Sequence, residues 1–195
     1  MLDKKFFTQI KKQYAATATD RRRVAALSSE AQQLAKQAIF AMQRADLVQA
    51  KKLIAQSQNL IVNCKKIRLA NSELDSQGSF RAALEEYVEA VLFFQALTGG
   101  RGGPLPKINV PLETYLGGLA DMVGEITRRS VILVTEGKYQ EVRALAKIAA
   151  AAVGELAQMN LVGYLRNKFD QANQALRKLE SILYDLSLQN KWQAY

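Results

Sequence analysis

The sequence predicts an all-α protein, a bundle of six helices that begins with a long N-terminal helix. Alanine, leucine, glutamine and lysine recur along most of the 195 residues, and these residues favour helix. The three prolines all lie between residues 104 and 111, which leaves long stretches without a helix breaker. Hydrophobic residues make up 49% of the chain, enough for one sizeable core, so we expect a single helical domain over residues 1–195.

The first helix is expected over residues 2–44, because apolar residues keep a heptad-like phase along that stretch. Thr19 and Asp20 could cap a new helix and break the first one, but the unbroken phase favours one long helix. A second helix is expected over residues 46–69. A polar segment, residues 71–78, then leads to the third helix.

The third to sixth helices complete the chain, and a segment rich in glycine and proline separates the third from the fourth. The third helix is expected over residues 81–98 and the fourth over residues 112–135. The segment between them, TGGRGGPLPKINVP, lacks the GK[ST] pattern of a phosphate-binding loop and is interpreted as a plain connection. The fifth and sixth helices are expected over residues 139–159 and 165–188. The apolar seam of the sixth could either fill the core or join subunits.

The residue types that are missing exclude several kinds of chemistry. The chain contains no histidine, which removes Ser-His-Asp and Cys-His catalysis and argues against the usual zinc and non-haem iron sites. The single cysteine, Cys64, cannot form an intramolecular disulfide and is typical of a reducing compartment. No apolar run reaches the roughly 18 residues that span a bilayer, and residues 1–10 do not resemble a signal peptide. We therefore expect a cytoplasmic protein without a membrane partner.

Positive charge is concentrated in the N-terminal third of the chain. The net charge is +9, and residues 1–70 hold 14 Lys and Arg against 4 Asp and Glu. These cations recur on one side of the first helix, so they form a stripe. Such a stripe favours contacts with the phosphates of a nucleic acid, with a basic helix on a membrane surface or a merely solvated face as alternatives. The candidate contacts to a nucleic-acid backbone are Lys11, Lys12, Arg21, Arg22 and Arg23.

Two pairs of acidic residues interrupt apolar helices. Glu86 and Glu89 are three residues apart, and Asp121 and Glu125 are four apart, so each pair shares a helical face. Buried carboxylates are costly unless a positive charge meets them. If the two pairs face each other, four oxygen donors without imidazole fit Mg²⁺ or Mn²⁺, which can activate a water for phosphodiester hydrolysis. The alternative is an ion-pair network of Glu86 and Glu89 with Arg128 that only holds helices together.

Three segments carry a family resemblance. LEEYVEAVLFFQAL, residues 84–97, resembles the acidic helix of translin-associated factor X (TRAX). YLGGLADMVGEITRRSVILVTEGKY, residues 115–139, resembles a segment shared by translin and TRAX. LRNKFDQANQALRKLESILYDLS, residues 165–187, is similar to the C-terminal helix of that family. In this order the three segments resemble the translin/TRAX family, and most of all a prokaryotic-type homologue of its catalytic, TRAX-like branch.

The resemblance implies a translin-like bundle of six to seven helices that assembles into a closed, octamer-like homo-oligomer with RNA inside. It also implies an Mg²⁺-dependent endoribonuclease of single-stranded RNA, because the catalytic acids of TRAX fall on Glu86, Glu89, Asp121 and Glu125. The three glutamates would hold the ion, and Asp121 would be a further ligand or would position the attacking water. Translin itself is the non-catalytic member, so the alternative is a non-catalytic oligomer that binds single-stranded nucleic acid.

Two arginines complete the candidate RNA contacts. Arg128 matches an arginine common to both branches of the family and could steady a phosphate or orient a carboxylate. The histidine-containing basic segment of translin is absent from this chain, and Arg81 is the basic residue near its position.

Overall fold

Six α-helices make up the chain in the computed structural model, which describes residues 2–74, 78–100, 102–105 and 108–192. They are α1 (Lys4–Gln43), α2 (Leu47–Ala70), α3 (Gly78–Thr98), α4 (Leu112–Thr135), α5 (Tyr139–Ala157) and α6 (Gly163–Trp192), with one 3₁₀ turn at Ser72–Leu74 after α2. The predicted all-α bundle with a long first helix is confirmed. In this described part of the chain, no helix has an apolar stretch of the length that a bilayer requires.

The first helix runs for 40 residues without a break. Asp3 caps its start, because its carboxylate accepts hydrogen bonds from the backbone N–H groups of Lys5 and Phe6 at 2.9 and 3.2 Å. Thr19, at the predicted weak point, does not cap a second helix. Its hydroxyl donates instead to the carbonyl oxygen of Ala15 within α1, at 3.0 Å. The prediction of one long helix is therefore confirmed.

Only the later part of α1 belongs to the core. Burial begins at Thr17, and from Val24 onwards it follows the predicted apolar stripe. Residues 2–16 are exposed to solvent. Their large apolar side chains are Leu2, Phe6, Phe7, Ile10 and Tyr14. The first turns of α1 therefore present an apolar surface that the described part of the chain leaves exposed.

Helices α1 and α2 pack against each other in opposite directions. The hydroxyl of Ser57 donates to the carbonyl oxygen of Ala31 at 2.8 Å, and further along α2 the thiol of Cys64 lies 3.7 Å from the hydroxyl of Ser28. Cys64 is fully buried, and burial raises the pKa of its thiol. The cysteine is thus a small apolar residue of the core.

Helices α3, α4 and α6 run parallel to one another. Between α3 and α4, Arg81 contacts Glu113 and, one turn later on both helices, Glu85 contacts Gly117. Between α6 and α4, Lys168 contacts Asp121 and, further along both helices, Ala175 contacts Thr127. Because α4 is parallel to α3, the chain must return along the bundle between them. Leu105 and Ile108, in this returning connection, are buried.

The apolar seam of α6 fills the core of the chain. Its buried members are Ala172, Leu176, Leu179 and Leu186. Since α6 packs on α4 and α5, the structure supports the core interpretation of this seam over the subunit interpretation. The end of α5 differs from the prediction: the helix ends at Ala157, so Met159 lies beyond it and is exposed.

Candidate active site

Two glycines bring α3 and α4 into close contact. A Cβ atom added to Gly118 would lie 2.7 Å from Cγ1 of Val88 and 2.8 Å from the backbone oxygen of Glu85. One added to Gly117 would lie 2.6 Å from the carboxylate of Glu85. Gly124 has nothing within 4 Å of such an atom, so the close approach depends on the first two glycines. Its effect is to place the acidic residues of α3 beside those of α4.

Three of the four predicted acids line one pocket. Glu89 of α3 and Asp121 and Glu125 of α4 surround a cavity of about 230 Å³, with Gln171 of α6 as a further lining residue. Glu86 is not part of this lining, but the charges of Asp121 and Glu125 act on its carboxylate. The structure thus brings the two acidic pairs together between α3 and α4.

Glu89 is the most deeply buried of the four acids, with 9% of its surface exposed. Burial, followed by the charges of Asp121, Glu86 and Glu125, raises its pKa to about 9. The ammonium of Lys168 opposes this shift only in part. At neutral pH Glu89 therefore favours its protonated form, and a cation beside it would favour the ionised form.

Glu86 and Asp121 are shifted in the same direction. Burial raises the pKa of Glu86, while the ammonium of Lys36, 3.8 Å from its Oε2, and a hydrogen bond from Gln32 oppose the shift. Burial likewise raises the pKa of Asp121, against the opposing effect of a hydrogen bond from Lys168. Each of these acids therefore has a polar or positive group of the same chain beside it.

Glu125 is held by the C-terminal end of α1. Its Oε2 accepts a 2.7 Å hydrogen bond from Nε2 of Gln43, which also donates to the carbonyl oxygen of Glu125 at 3.0 Å. The backbone of Gln43 is fixed in turn, because Nη1 of the buried Arg129 donates to its carbonyl oxygen at 2.9 Å. The position of Glu125 is thus set by contacts from another helix.

A lysine of α6 occupies the space between two acids. The ammonium of Lys168 pairs with Asp121 and lies 3.1 Å from Oε1 of Glu85. The hydroxyl of Tyr164, one turn earlier on α6, donates to the same oxygen of Glu85. Burial lowers the pKa of Lys168, but its hydrogen bonds to Asp121, Glu85 and Tyr164 outweigh that effect and raise it overall. Lys168 is therefore a charged part of the site.

Sequence reasoning missed Lys168, Gln43 and Glu85. Of these, Glu85 had a detectable signal, because it lies four residues before Glu89 on the same helical face. Lys168 and Gln43 had none. They reach the acids from α6 and α1, and no pattern within those helices marks them.

A family match covers most of the chain. The chain matches the translin family over residues 19–190. It belongs to the translin family. The predicted resemblance to this family is thereby confirmed. No curated protein sequence matches the chain.

Solved structures share the whole fold. Apo-NeC3PO superimposes with a TM-score of 0.84 at 23% sequence identity, over 94% of this chain and 97% of that chain. AfC3PO in its complex with duplex RNA gives 0.86 at 18% identity, with the same coverage of both chains. AfC3PO alone gives 0.85 at 19% identity, again over 94% and 97%. The translin-like bundle is therefore present along nearly the entire chain.

In this translin-family chain, the acids suit a hard divalent cation by their chemistry. Carboxylate oxygens without imidazole or thiolate are what Mg²⁺ and Mn²⁺ prefer. Among the described residues, no group of three or more acidic or cysteine side chains has the spacing that would hold a metal ion. Two of the acids contact polar groups of the same chain, since Lys168 donates to Asp121 and Gln43 donates to Glu125. The donor set fits the ion by residue type, and each of these two carboxylates has a second oxygen besides the one that its partner contacts.

The basic stripe of α1 is exposed but distant from the acids of its own chain. The predicted RNA contacts in this stripe are exposed, and they are Lys11, Lys12, Arg21, Arg22 and Arg23. The contact between α1 and Glu86 is made further along, at Lys36. At 1.5 Å per residue, residues 11–23 lie about 20 to 40 Å along α1 from Lys36. The structure therefore does not place these predicted RNA contacts near the acids of the same chain.

Arg81 lies at the start of α3, one turn before Glu85. Its guanidinium pairs with Glu113 at 3.0 Å and lies 5.2 Å from the ring centre of Tyr164. Arg81 therefore lies beside Tyr164, the residue that donates to Glu85.

Arg128 lies on α4, three residues after Glu125. Its Nη1 is 3.9 Å from Oε2 of Glu125, and its guanidinium lies 5.2 Å from the ring centre of Phe40. It makes no ion pair with Glu86 or Glu89 within the part of the chain that the structure describes. The alternative network of Glu86, Glu89 and Arg128 is therefore not formed.

Proposed function

We propose that this chain is a metal-dependent endoribonuclease that cleaves single-stranded RNA. The observation that supports the proposal is the convergence of Glu89, Asp121 and Glu125 on one pocket, with Glu86 beside them. Acids whose pKa values are raised by burial and by each other are typical of functional sites. They are also the acids to which the resemblance to TRAX assigns catalysis.

When bound, Mg²⁺ or Mn²⁺ would lower the pKa of a water and neutralise charge on the phosphate. Glu86, Glu89 and Glu125 hold the ion in this proposal. Asp121 is either a further ligand or the group that orients the attacking water. Gln43 fixes Glu125 through the 2.7 Å hydrogen bond to its carboxylate, so the geometry of the ligand set depends on α1.

RNA is the proposed substrate because the N-terminal third of the chain is strongly basic and because a structure of AfC3PO contains duplex RNA. The preference for a single strand rests on the resemblance to TRAX. Both single-stranded and duplex RNA therefore belong in the experiment.

We further propose a closed homo-oligomer that acts in the cytoplasm. The apolar surface at residues 2–16 is exposed in the single chain and would be covered by another copy. The predicted RNA contacts at residues 11–23 of α1 are also far from the acids of their own chain. In a closed assembly, RNA held by one copy could reach the acids of the next.

The experiment uses a labelled single-stranded RNA and its matched duplex, each incubated with Mg²⁺ or with EDTA. We expect the single strand to be cleaved in Mg²⁺ and not in EDTA, and the products to carry 5′-phosphate and 3′-hydroxyl ends. Glu89→Gln should abolish cleavage and keep RNA affinity, whereas Glu180→Gln, at an exposed position of α6, should keep both. A cyclic phosphate on the product, or full activity in EDTA, would overturn the proposed reaction.

A non-catalytic oligomer that binds single-stranded nucleic acid is the second candidate. One observation favours it: Asp121 and Glu125 already have partners from the chain itself, in Lys168 and Gln43. It predicts RNA binding that weakens steeply with salt, together with no turnover in the presence of any divalent ion.

A further inference from the structure

An exposed phenylalanine lies on the face of α1 that contacts the acids. On this face Lys36 lies 3.8 Å from Oε2 of Glu86, and Gln43 donates to Oε2 of Glu125 at 2.7 Å. Phe40 is four residues after Lys36 and three before Gln43, so it shares their face. It is 49% exposed. A large apolar ring thus stands in solvent between two residues that hold the acids.

The ring of Phe40 carries an arginine. The guanidinium of Arg128 lies 5.2 Å from the ring centre, a cation–π contact. The same guanidinium is 3.9 Å from Oε2 of Glu125, which lines the acid pocket. The guanidinium of Arg128 therefore lies close to both the ring of Phe40 and the carboxylate of Glu125.

Packing within the chain does not explain this ring. A half-exposed phenylalanine gains only part of the free energy that burial of its side chain would supply, and it has no group that can form a hydrogen bond. Proteins that bind single-stranded nucleic acid use such rings, together with arginine, to stack successive bases. We infer that Phe40, with Arg128, is a stacking site for one nucleobase of an RNA strand that crosses the acids. The inference rests on the proposed function, since it takes RNA as the ligand.

A second arginine–aromatic pair lies beside the acids, and its ring differs from Phe40 because it has a hydroxyl that contacts an acid. Arg81 lies 5.2 Å from the ring centre of Tyr164, at the other end of the acids. The hydroxyl of Tyr164 is committed to Glu85, and the ammonium of Lys168 lies 5.4 Å from its ring. Tyr164 therefore supports the acid cluster, whereas Phe40 can accept a base without breaking a contact to an acid.

A stacking site beside the acids selects for unpaired bases. A base inside a duplex already stacks on its neighbours, so its face is not free to meet Phe40. Every base has such a face, so the site is tolerant of sequence. It also sets the register of the strand, because the nucleotide seated on Phe40 determines which phosphate lies at the acids.

The test measures binding in EDTA, so it does not depend on cleavage. Fluorescence anisotropy compares a labelled single-stranded RNA of about ten nucleotides with an abasic strand of the same backbone. Phe40→Ala should weaken binding of the base-bearing strand about tenfold, a loss within the range of one base–aromatic stack. It should leave binding of the abasic strand unchanged. Phe40→Trp should restore the affinity, and Tyr184→Ala, which removes another exposed aromatic, should bind both strands normally.

Equal affinity of Phe40→Ala and the unaltered protein for the base-bearing strand would overturn the inference. So would an equal loss for both strands, because stacking needs a base. A changed subunit number in Phe40→Ala, measured by light scattering, would show that Phe40 is a subunit contact instead. If binding depends on Phe40 and no RNA is cleaved with Mg²⁺, the proposed hydrolysis fails and the stacking site stands.

Discussion

Nε2 of Gln43 donates a 2.7 Å hydrogen bond to Oε2 of Glu125, across 82 positions of sequence. Gln43 is 4% exposed, and Nη1 of Arg129 donates to its backbone carbonyl oxygen, so the backbone that carries this amide is held in place. The bond is therefore the means by which the end of α1 positions an acid of α4.

Replacing Gln43 with methionine removes this hydrogen bond and keeps a similar side-chain volume. We expect Mg²⁺-dependent cleavage to fall about 10- to 100-fold, as when a residue that orients a metal ligand is removed. The affinity for Mn²⁺, measured by electron paramagnetic resonance, should fall by a similar factor. Gln49→Met, at an exposed position of α2, is the control. Unchanged Mn²⁺ affinity in Gln43→Met would show that Gln43 does not orient a ligand.

The buried carboxyl of Glu89 makes stability depend on pH. Its pKa rises from 4.5 to about 9 in the folded protein, so the fold favours the protonated form. This contribution to stability is fully present below pH 4.5 and is lost as the pH rises towards 9. In EDTA, Glu89→Gln should therefore be the more stable protein at pH 9, by about 2 kcal/mol, with little difference at pH 4.

Urea unfolding at several pH values measures this difference, with Glu180→Gln as the control. Adding Mg²⁺ at pH 9 should stabilise the unaltered protein more than Glu89→Gln, because a cation favours the ionised carboxylate. Parallel pH profiles for the unaltered protein and Glu89→Gln would contradict the prediction.

Lys168 forms ion pairs with two acids, so its loss should destabilise the fold. Lys168→Met leaves Glu85 and Asp121 without their ammonium, and we expect the free energy of unfolding to fall by about 2 to 4 kcal/mol. The double variant Lys168→Met/Glu85→Gln should recover part of this loss, since it removes one of the unpaired charges. Lys178→Met, at an exposed position of the same helix, is the control. Additive effects in the double variant would mean that Lys168 and Glu85 do not interact energetically.

Two glycine-to-alanine substitutions should have opposite effects. In Gly118→Ala the new Cβ would lie 2.7 Å from Val88 and 2.8 Å from the backbone oxygen of Glu85, so α3 and α4 must move apart. We expect a loss of about 2 kcal/mol or more. In Gly154→Ala, nothing lies within 4 Å of the new atom, and the better helix propensity should stabilise the protein by about 1 kcal/mol. Thermal unfolding compares the two, and equal melting temperatures would contradict the close approach at Gly118.

The exposed start of α1 should control assembly. Ile10→Asp places a charge on the apolar surface of residues 2–16, and we expect a smaller average mass by light scattering. Gln13→Asp introduces the same charge at a polar position of the same exposed stretch, and it should keep the mass of the unaltered protein. Identical masses for both variants and the unaltered protein would exclude this surface from the subunit interface.

The helices were predictable because helix formation depends on local spacing. The fourth helix was expected over residues 112–135, and α4 spans Leu112–Thr135. Errors occurred at helix ends, where local signals compete. The sixth helix begins at Gly163, two residues earlier than expected, with a positive φ of 54° at that glycine. The exposure of the first turns of α1 was not predictable, since the heptad phase there is the same as in the buried part.

By itself, the sequence determined an all-α chain, a basic N-terminal third and two acidic pairs, because periodicity, charge and residue type can be read along the chain. Only the tertiary structure decided what surrounds those acids. Gln43 reaches Glu125 from α1, and Lys168 reaches Asp121 from α6. The physical reason is that burial and charge act through space: the pKa of Glu89 depends on groups from three helices, and no pattern within one helix encodes their distances.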